Sequence, residues 1–244
     1  MPQQQIEEKV TQPLRPLLLV DVVLAYALGL GIADYLGVVL MLPAAILGAV
    51  WALALQMGAS YLFAYFQSQE SRTSVNRRNQ EFVEQIPLWI GLTALAIAAS
   101  VSIPLMTTAG ISASAWIIMV LLLVGAFASA VPPLQLADGL YRELILSVGL
   151  ATLIPALAFS LQGEELHRLV SMTTFPLTLL HFSVLLTYRF PRFSQDLKEE
   201  NSSLLVRLGW EQGMRLINLF ILLAFFLLGL AMLMGLPSKI AMPA

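Results

Sequence analysis

The chain has 244 residues, of which 58% are hydrophobic and only 11% charged, and its mean hydropathy is strongly positive. A soluble globular domain does not carry that much apolar surface, so composition alone points to lipid as the solvent. A formal charge of -2 supplies no basic face for nucleic acid, and the absence of cysteine excludes disulfides and any Cys-based metal or redox centre.

The N-terminus, Met1 to Val10, is polar and includes Glu7 and Glu8. It lacks the positive start of a secretory signal, so the first apolar run is expected to be a retained helix. Runs long enough for a helix to cross about 30 Å of hydrocarbon fall at 16-35, 38-66, 86-106, 112-131, 141-161, 168-188 and 214-235. The expected fold class is therefore all-α, a polytopic transmembrane helical bundle of about seven spans. It comprises a cytoplasmic tail at 1-15, one helical domain over 16-235 and a short C-terminal tail at 236-244. The second run is long enough to protrude from the bilayer.

Between the runs, 67-85 and 189-213 are long and charged, whereas 107-111 and 162-167 are short. Lys9, Arg15, Arg72, Arg77, Arg78, Arg142, Arg189, Arg192, Lys198, Arg207 and Arg215 fall on the N-terminal side of such a bundle, and only Arg168 and Lys239 on the other. Because basic loops stay cytoplasmic, the N-terminus is expected inside and the C-terminus outside.

Within the spans, Asp21 and His181 stand out, since an ionisable group at the bilayer centre costs about 2.5 to 3.5 kcal/mol on insertion scales. His181 lies about two turns inside the cytoplasmic end of its helix, where a neutral imidazole either bonds to a neighbouring helix or ligates a metal or tetrapyrrole ion. Asp21 is close enough to its helix start to reach headgroup water. No midplane charged pair is evident. Gln56 and Ser60 share a helix face and are expected to bond between helices. Asp34 and Tyr35 read as interface anchors, and Gly29, Gly31, Gly91, Gly125 and Gly149 as sites of close helix packing. Pro43, Pro104, Pro155 and Pro176 recur in or beside the spans, either as kinks around a cavity or as ordinary membrane-helix usage. There is no phosphate-binding Gly-rich loop, no H-E-x-x-H and no serine-nucleophile motif.

The segment Phe190-Pro-Arg-Phe-Ser-Gln-Asp196, followed by Leu204-Leu-Val-Arg-Leu-Gly209, resembles the second signature of the UbiA superfamily of membrane prenyltransferases. In the dihydroxynaphthoate polyprenyltransferase branch that signature runs approximately N-E-F-P-D-Y-E-A-D-R, then T-L-V-V-R-L-G. Pro132-Pro-Leu-Gln-Leu136 with Glu143 matches a second landmark of the family, and Arg15-Pro16 precedes the first span. The resemblance covers most of the chain. It implies that two helices of the usual nine are missing beyond the seventh span.

The resemblance also implies a chemistry. Members of the family hold a prenyl diphosphate through magnesium bridged to two aspartate-rich motifs, and magnesium needs hard oxygen ligands. Here the first motif, N-D-Y-F-D, falls on Phe63-Ala-Tyr-Phe-Gln67, with every acidic position neutral, and Glu70 is the carboxylate that follows. In the second, Tyr188 replaces the asparagine, Arg192 the first aspartate and Ser194 the glutamate, leaving Asp196. A unit charge about 6 Å from a divalent ion is worth roughly 5 kcal/mol at an effective dielectric near 20, so exchanging aspartate for arginine swings the site by about 10 kcal/mol before screening.

The candidate catalytic residue is therefore Asp196. The diphosphate or ligand-binding candidates are Glu70, Arg72, Arg77, Arg78, Arg192 and Asp196, the guanidinium groups standing in for metal as counter-charge, or else serving only as topology determinants. His181 is the candidate pigment ligand.

The expected function is a catalytically degenerate prenyltransferase-like protein that binds an isoprenoid, quinone, lipid or pigment, as an accessory subunit of a membrane complex. A protein partner or a second copy would cover its exposed helix faces, with membrane lipids around the rest. The alternative is an active transferase that attaches an isoprenoid chain to an aromatic or tetrapyrrole acceptor, with magnesium required only in that case. A transporter is a third class, with weaker support because no charged pair is evident.

Overall fold

The computed structural model describes residues 16–70, 81–108, 111–131, 140–163, 165–188, 190 and 209–237. The helices are α1 (Pro16–Tyr35), α2 (Leu42–Glu70), α3 (Glu81–Thr108), α4 (Ala113–Ala130), α5 (Leu140–Val148), α6 (Ile154–Ser160), α7 (Arg168–Thr187) and α8 (Trp210–Leu233). A π-helical turn, Gly149–Leu153, joins α5 to α6. These form seven spans long and apolar enough to cross a membrane, the fifth being α5, the π turn and α6 in line, so the protein is an integral, multi-pass membrane protein. No strand occurs among the described residues.

Boundaries follow local chemistry. The second span begins at Leu42 rather than 38 because α1 closes in a Schellman motif: Val38 N–H donates to Ala33 O, Gly37 N–H to Asp34 O, and Gly37 takes φ +75°. The last span closes the same way at Gly235, with Leu236 N–H on Ala231 O. A Cβ at Gly37 meets no atom within 4 Å, so only the backbone resists one. Gly37→Val should cost about 1 kcal/mol, the left-handed penalty alone, read as a small drop in thermal midpoint in detergent.

The π turn has its cause in Pro155, which has no N–H to give and whose ring crowds the carbonyl four residues back. Ile154 donates instead to Gly149 O, five residues back, so the register slips by one just ahead of the proline. The Leu150 carbonyl is then left without a helical donor in either register, since Ile154 is engaged and residue 155 is proline.

Small residues set the packing. α1 presses its Gly29 against the Pro155 carbonyl of α6, and α2 and α3 approach where Gly58 faces Leu95 and Gly91. Of the glycines expected at close contacts, Gly29 and Gly91 serve that role. Gly31 meets nothing within 4 Å, and Gly125 and Gly149 have only ordinary contacts, whereas Gly48 and Gly58 are close contacts that the sequence did not single out. The main core, with Val22, Leu105, Leu157, Phe159 and Leu161 fully enclosed, lies among α1, α2, α3, α4 and the fifth span. α3 packs on α2, and α8 packs on α7 through an edge-to-face pair, Phe182 and Phe220, with ring centroids 5.3 Å apart. The short connections on one face are tied together by Gln162, which accepts from Met41 N–H at 2.8 Å, and by Ser112, which donates to Ser160 O at 3.3 Å. The other face carries the ends that lead into the long charged segments.

Candidate functional site

Three helices bring polar side chains together in the half of the bundle nearer the charged segments. Asp21 lies five residues into α1 and His181 six residues before the end of α7, so at roughly 1.5 Å per residue both sit about 7 to 9 Å inside that face. His181 Nε2 is 3.5 Å from Asp21 Oδ2, and His181 Nδ1 is 3.3 Å from Ser147 Oγ on α5. The sequence suggests no charged pair at the midplane; nearer this face, an acid and an imidazole come together from two helices. The two residues are 160 positions apart, beyond the reach of periodicity.

This set is loose. The Nε2–Oδ2 contact lies outside hydrogen-bond geometry, and Nε2, though shielded from solvent, has no hydrogen-bond partner among the described residues. The Asp21 side chain stays 30% exposed and that of His181 17%. Toward the bilayer centre, the Thr152 and Thr178 hydroxyls hydrogen-bond between the π turn and α7, and Thr178 donates on to Thr174 O. Thr174 Oγ1 is buried without a partner among the described residues. Thr174, Thr178 and His181 follow the helical repeat, so α7 offers one polar stripe to α5 and the π turn. An axial ligand at either His181 nitrogen would have to displace Asp21 or Ser147.

A second cluster lies where α2 and α5 meet. The Arg142 guanidinium carbon sits 3.4 Å from the centroid of the Phe63 ring, a close cation–π contact. Phe63 opens the segment on which a first motif was expected, and Tyr65 and Phe66 of that segment stack edge to face. Beside Arg142, Glu143 is buried to 5% exposure in the first turn of α5, where the helix dipole favours a carboxylate. Arg142 was counted for topology only. What the sequence could not show is that it reaches Phe63 from another helix.

Of the other expected site residues, Glu70 is the last residue of α2, and Arg72, Arg77, Arg78, Arg192 and Asp196 lie outside the described residues, as does the Pro132–Leu136 segment. Gln56 does not bridge helices: its Nε2 donates to Ser60 Oγ, 3.5 Å away in the same helix. Asp34 and Tyr35 are exposed at the end of α1, as interface anchors should be. Among the described residues, no three His, Asp or Glu side chains gather as a metal site. On α2, Phe63, Tyr65 and Phe66 offer aromatic rings, with the Arg142 guanidinium over that of Phe63, a set that does not fit magnesium.

No family model matches the sequence, and no curated protein matches it. A solved structure, that of a UbiA homolog from Archaeoglobus fulgidus bound to GPP and Mg2+, superposes with a TM-score of 0.70 at 18% sequence identity. The match covers 95% of this chain and 80% of that chain, and it shows that the fold is shared.

Proposed function

We propose that this chain, built on the UbiA prenyltransferase fold, binds an isoprenoid within its helical bundle without the magnesium-dependent transfer chemistry, as an accessory subunit of a membrane complex. The observation that carries the reading is the Arg142 guanidinium over Phe63. On the frame that the family resemblance implies, Phe63 opens the segment where the two-motif site needs carboxylates, so this guanidinium adds positive charge there, and the solved structure of the same fold is bound to GPP and Mg2+. Like charges repel, so a divalent ion near Arg142 loses several kcal/mol, whereas a diphosphate gains from the same guanidinium through charge-assisted hydrogen bonds. Arg72, Arg77, Arg78 and Arg192 extend that counter-charge in the sequence, with Glu70 and Asp196 as its acidic members. In this reading the face is cytoplasmic, with the N-terminus inside and the C-terminus outside, which the excess of basic residues on that side supports.

Binding of labelled geranyl diphosphate to the purified protein tests this. Affinity is expected to be unchanged by EDTA, to fall about tenfold in Arg142→Gln, the loss of one charge-assisted contact, and to be accompanied by no transfer to aromatic acceptors. The alternative, an active transferase, draws on the Asp21–His181 pair as a ready proton acceptor. Magnesium-dependent turnover abolished by Asp196→Ala would establish it in place of the first.

A further inference from the structure

We infer that a cavity at the end of the bundle away from the charged segments is a head-group site for a phospholipid carrying a primary amine. This goes beyond the isoprenoid reading and does not rest on it, because the site lies at the opposite end of the helices from Arg142 and Phe63.

The cavity has a volume of about 770 Å³, within the range that small-molecule pockets take. Among the described residues it runs beneath the turn from Leu36 to Met41, against Phe159 and Gln162 at the end of the fifth span, and out to Glu165 and His167 ahead of α7. Three of these side chains can hydrogen-bond to a guest. Gln162 is only 5% exposed, and its Oε1 accepts from Met41 N–H at 2.8 Å, which fixes the amide in place. One hydrogen of its Nε2 reaches Ala158 O at 3.4 Å, and the other has no partner among the described residues. His167 accepts the Leu169 N–H at Nδ1, so the ring carries its proton on Nε2, a second donor. Glu165 is exposed and makes no hydrogen bond or ion pair among the described residues.

Two N–H donors and one unengaged carboxylate complement a zwitterion, whose phosphate oxygens accept and whose ammonium donates. The start of α7, capped by His167, lies beside the donors and favours the phosphate there. A purely anionic head group would meet Glu165 as a like charge. A quaternary ammonium has no N–H to give and is recognised by aromatic cages, whereas Phe159, the phenyl ring in the lining, is 1% exposed. A primary ammonium brings three donors to the carboxylate.

The surroundings select a lipid over a soluble amine. Tyr35, exposed at the end of α1, anchors this level to the head-group region. The wall opens outward through Val39, which is 83% exposed, and Leu166, between Glu165 and His167, is exposed as well. Apolar side chains at the mouth give a path from the bilayer: the acyl chains stay in hydrocarbon while the head group turns in.

The test is a native mass-spectrometric titration of the full chain with dioleoyl lipids that differ only in head group: phosphatidylethanolamine, phosphatidylcholine and phosphatidylglycerol. Phosphatidylethanolamine is expected to bind about tenfold more tightly than phosphatidylcholine, the worth of one charge-assisted hydrogen bond. Glu165→Gln should bring that ratio below about twofold, with geranyl diphosphate binding unchanged. Asp34→Asn, which alters an exposed acid at the same end but outside the cavity lining, should leave the ratio as it is. Equal affinity for the ethanolamine and choline lipids, or tightest binding of the glycerol lipid, overturns the proposal, and that comparison needs no variant to fold. A ratio that survives Glu165→Gln, or that is lost equally in Asp34→Asn, overturns the placement in this cavity. Displacement of the lipid by an excess of water-soluble phosphoethanolamine would overturn the choice of a lipid. Failure of geranyl diphosphate to bind the unmodified chain bears on the isoprenoid reading alone and leaves this site standing.

Discussion

Gly29→Ala should destabilise the bundle by about 3 kcal/mol, the upper end of overpacking costs, while Gly31→Ala, two residues along the same helix, should be neutral or stabilising by about 0.5 to 1 kcal/mol, the helix preference for alanine. The contrast lies in what the added methyl meets. At Gly29 it would stand 2.2 Å from the Pro155 carbonyl oxygen, with carbonyl carbon at 2.9 Å and the Ala158 Cβ at 2.7 Å. Backbone atoms cannot rotate aside as a side chain can, so α1 must move off α6 as a body, losing contacts along the whole seam. At Gly31 nothing lies within 4 Å, and the methyl enters lipid or open space. Unfolding of the reconstituted variants with increasing detergent denaturant, followed by circular dichroism, measures both. Equal effects at the two positions would mean that the α1–α6 seam is not as close as described.

The fold was legible because membrane spans announce themselves by length. Seven apolar runs became seven spans among the described residues, and the boundaries moved by only a few residues, where the turn at Gly37 held back the start of the second span to Leu42 or a helix such as α3 ran on into polar residues. Finer structure was hidden for identifiable reasons. Pro155 was visible, but not whether a kink or a slipped register would absorb it, because that depends on which carbonyl the preceding N–H finds. Gly48 and Gly58 looked no different in sequence from Gly31, since the spacing of small residues does not say which face meets a neighbour. The Asp21–His181 pair had one usable signal: both residues were ionisable and at similar depth from the same membrane face. Two costly groups at equal depth have a reason to find each other. Arg142 carried no comparable signal, because an arginine at a helix start is ordinary topology until a ring from another helix appears beneath it.

A double-mutant cycle on Asp21 and His181 should show strong coupling. His181→Leu alone leaves the Asp21 carboxylate facing hydrocarbon without its partner. Breaking a fully buried pair costs about 3 to 5 kcal/mol, and the 30% exposure of Asp21 lets water and headgroups screen part of it, so about 2 kcal/mol is expected. Asp21→Leu alone leaves a neutral imidazole that still has Ser147, and should cost about 1 kcal/mol. The double variant Asp21→Leu/His181→Leu removes both desolvation penalties together and should return to within about 0.5 kcal/mol of the unmodified protein, or exceed it. Additive losses, with a coupling below about 0.5 kcal/mol, would show that the two side chains act independently. The recovery matters beyond stability. If two leucines hold the helices as well as the pair does, helix packing gives no reason to keep an acid and an imidazole at membrane depth, and the reason passes to whatever molecule they contact.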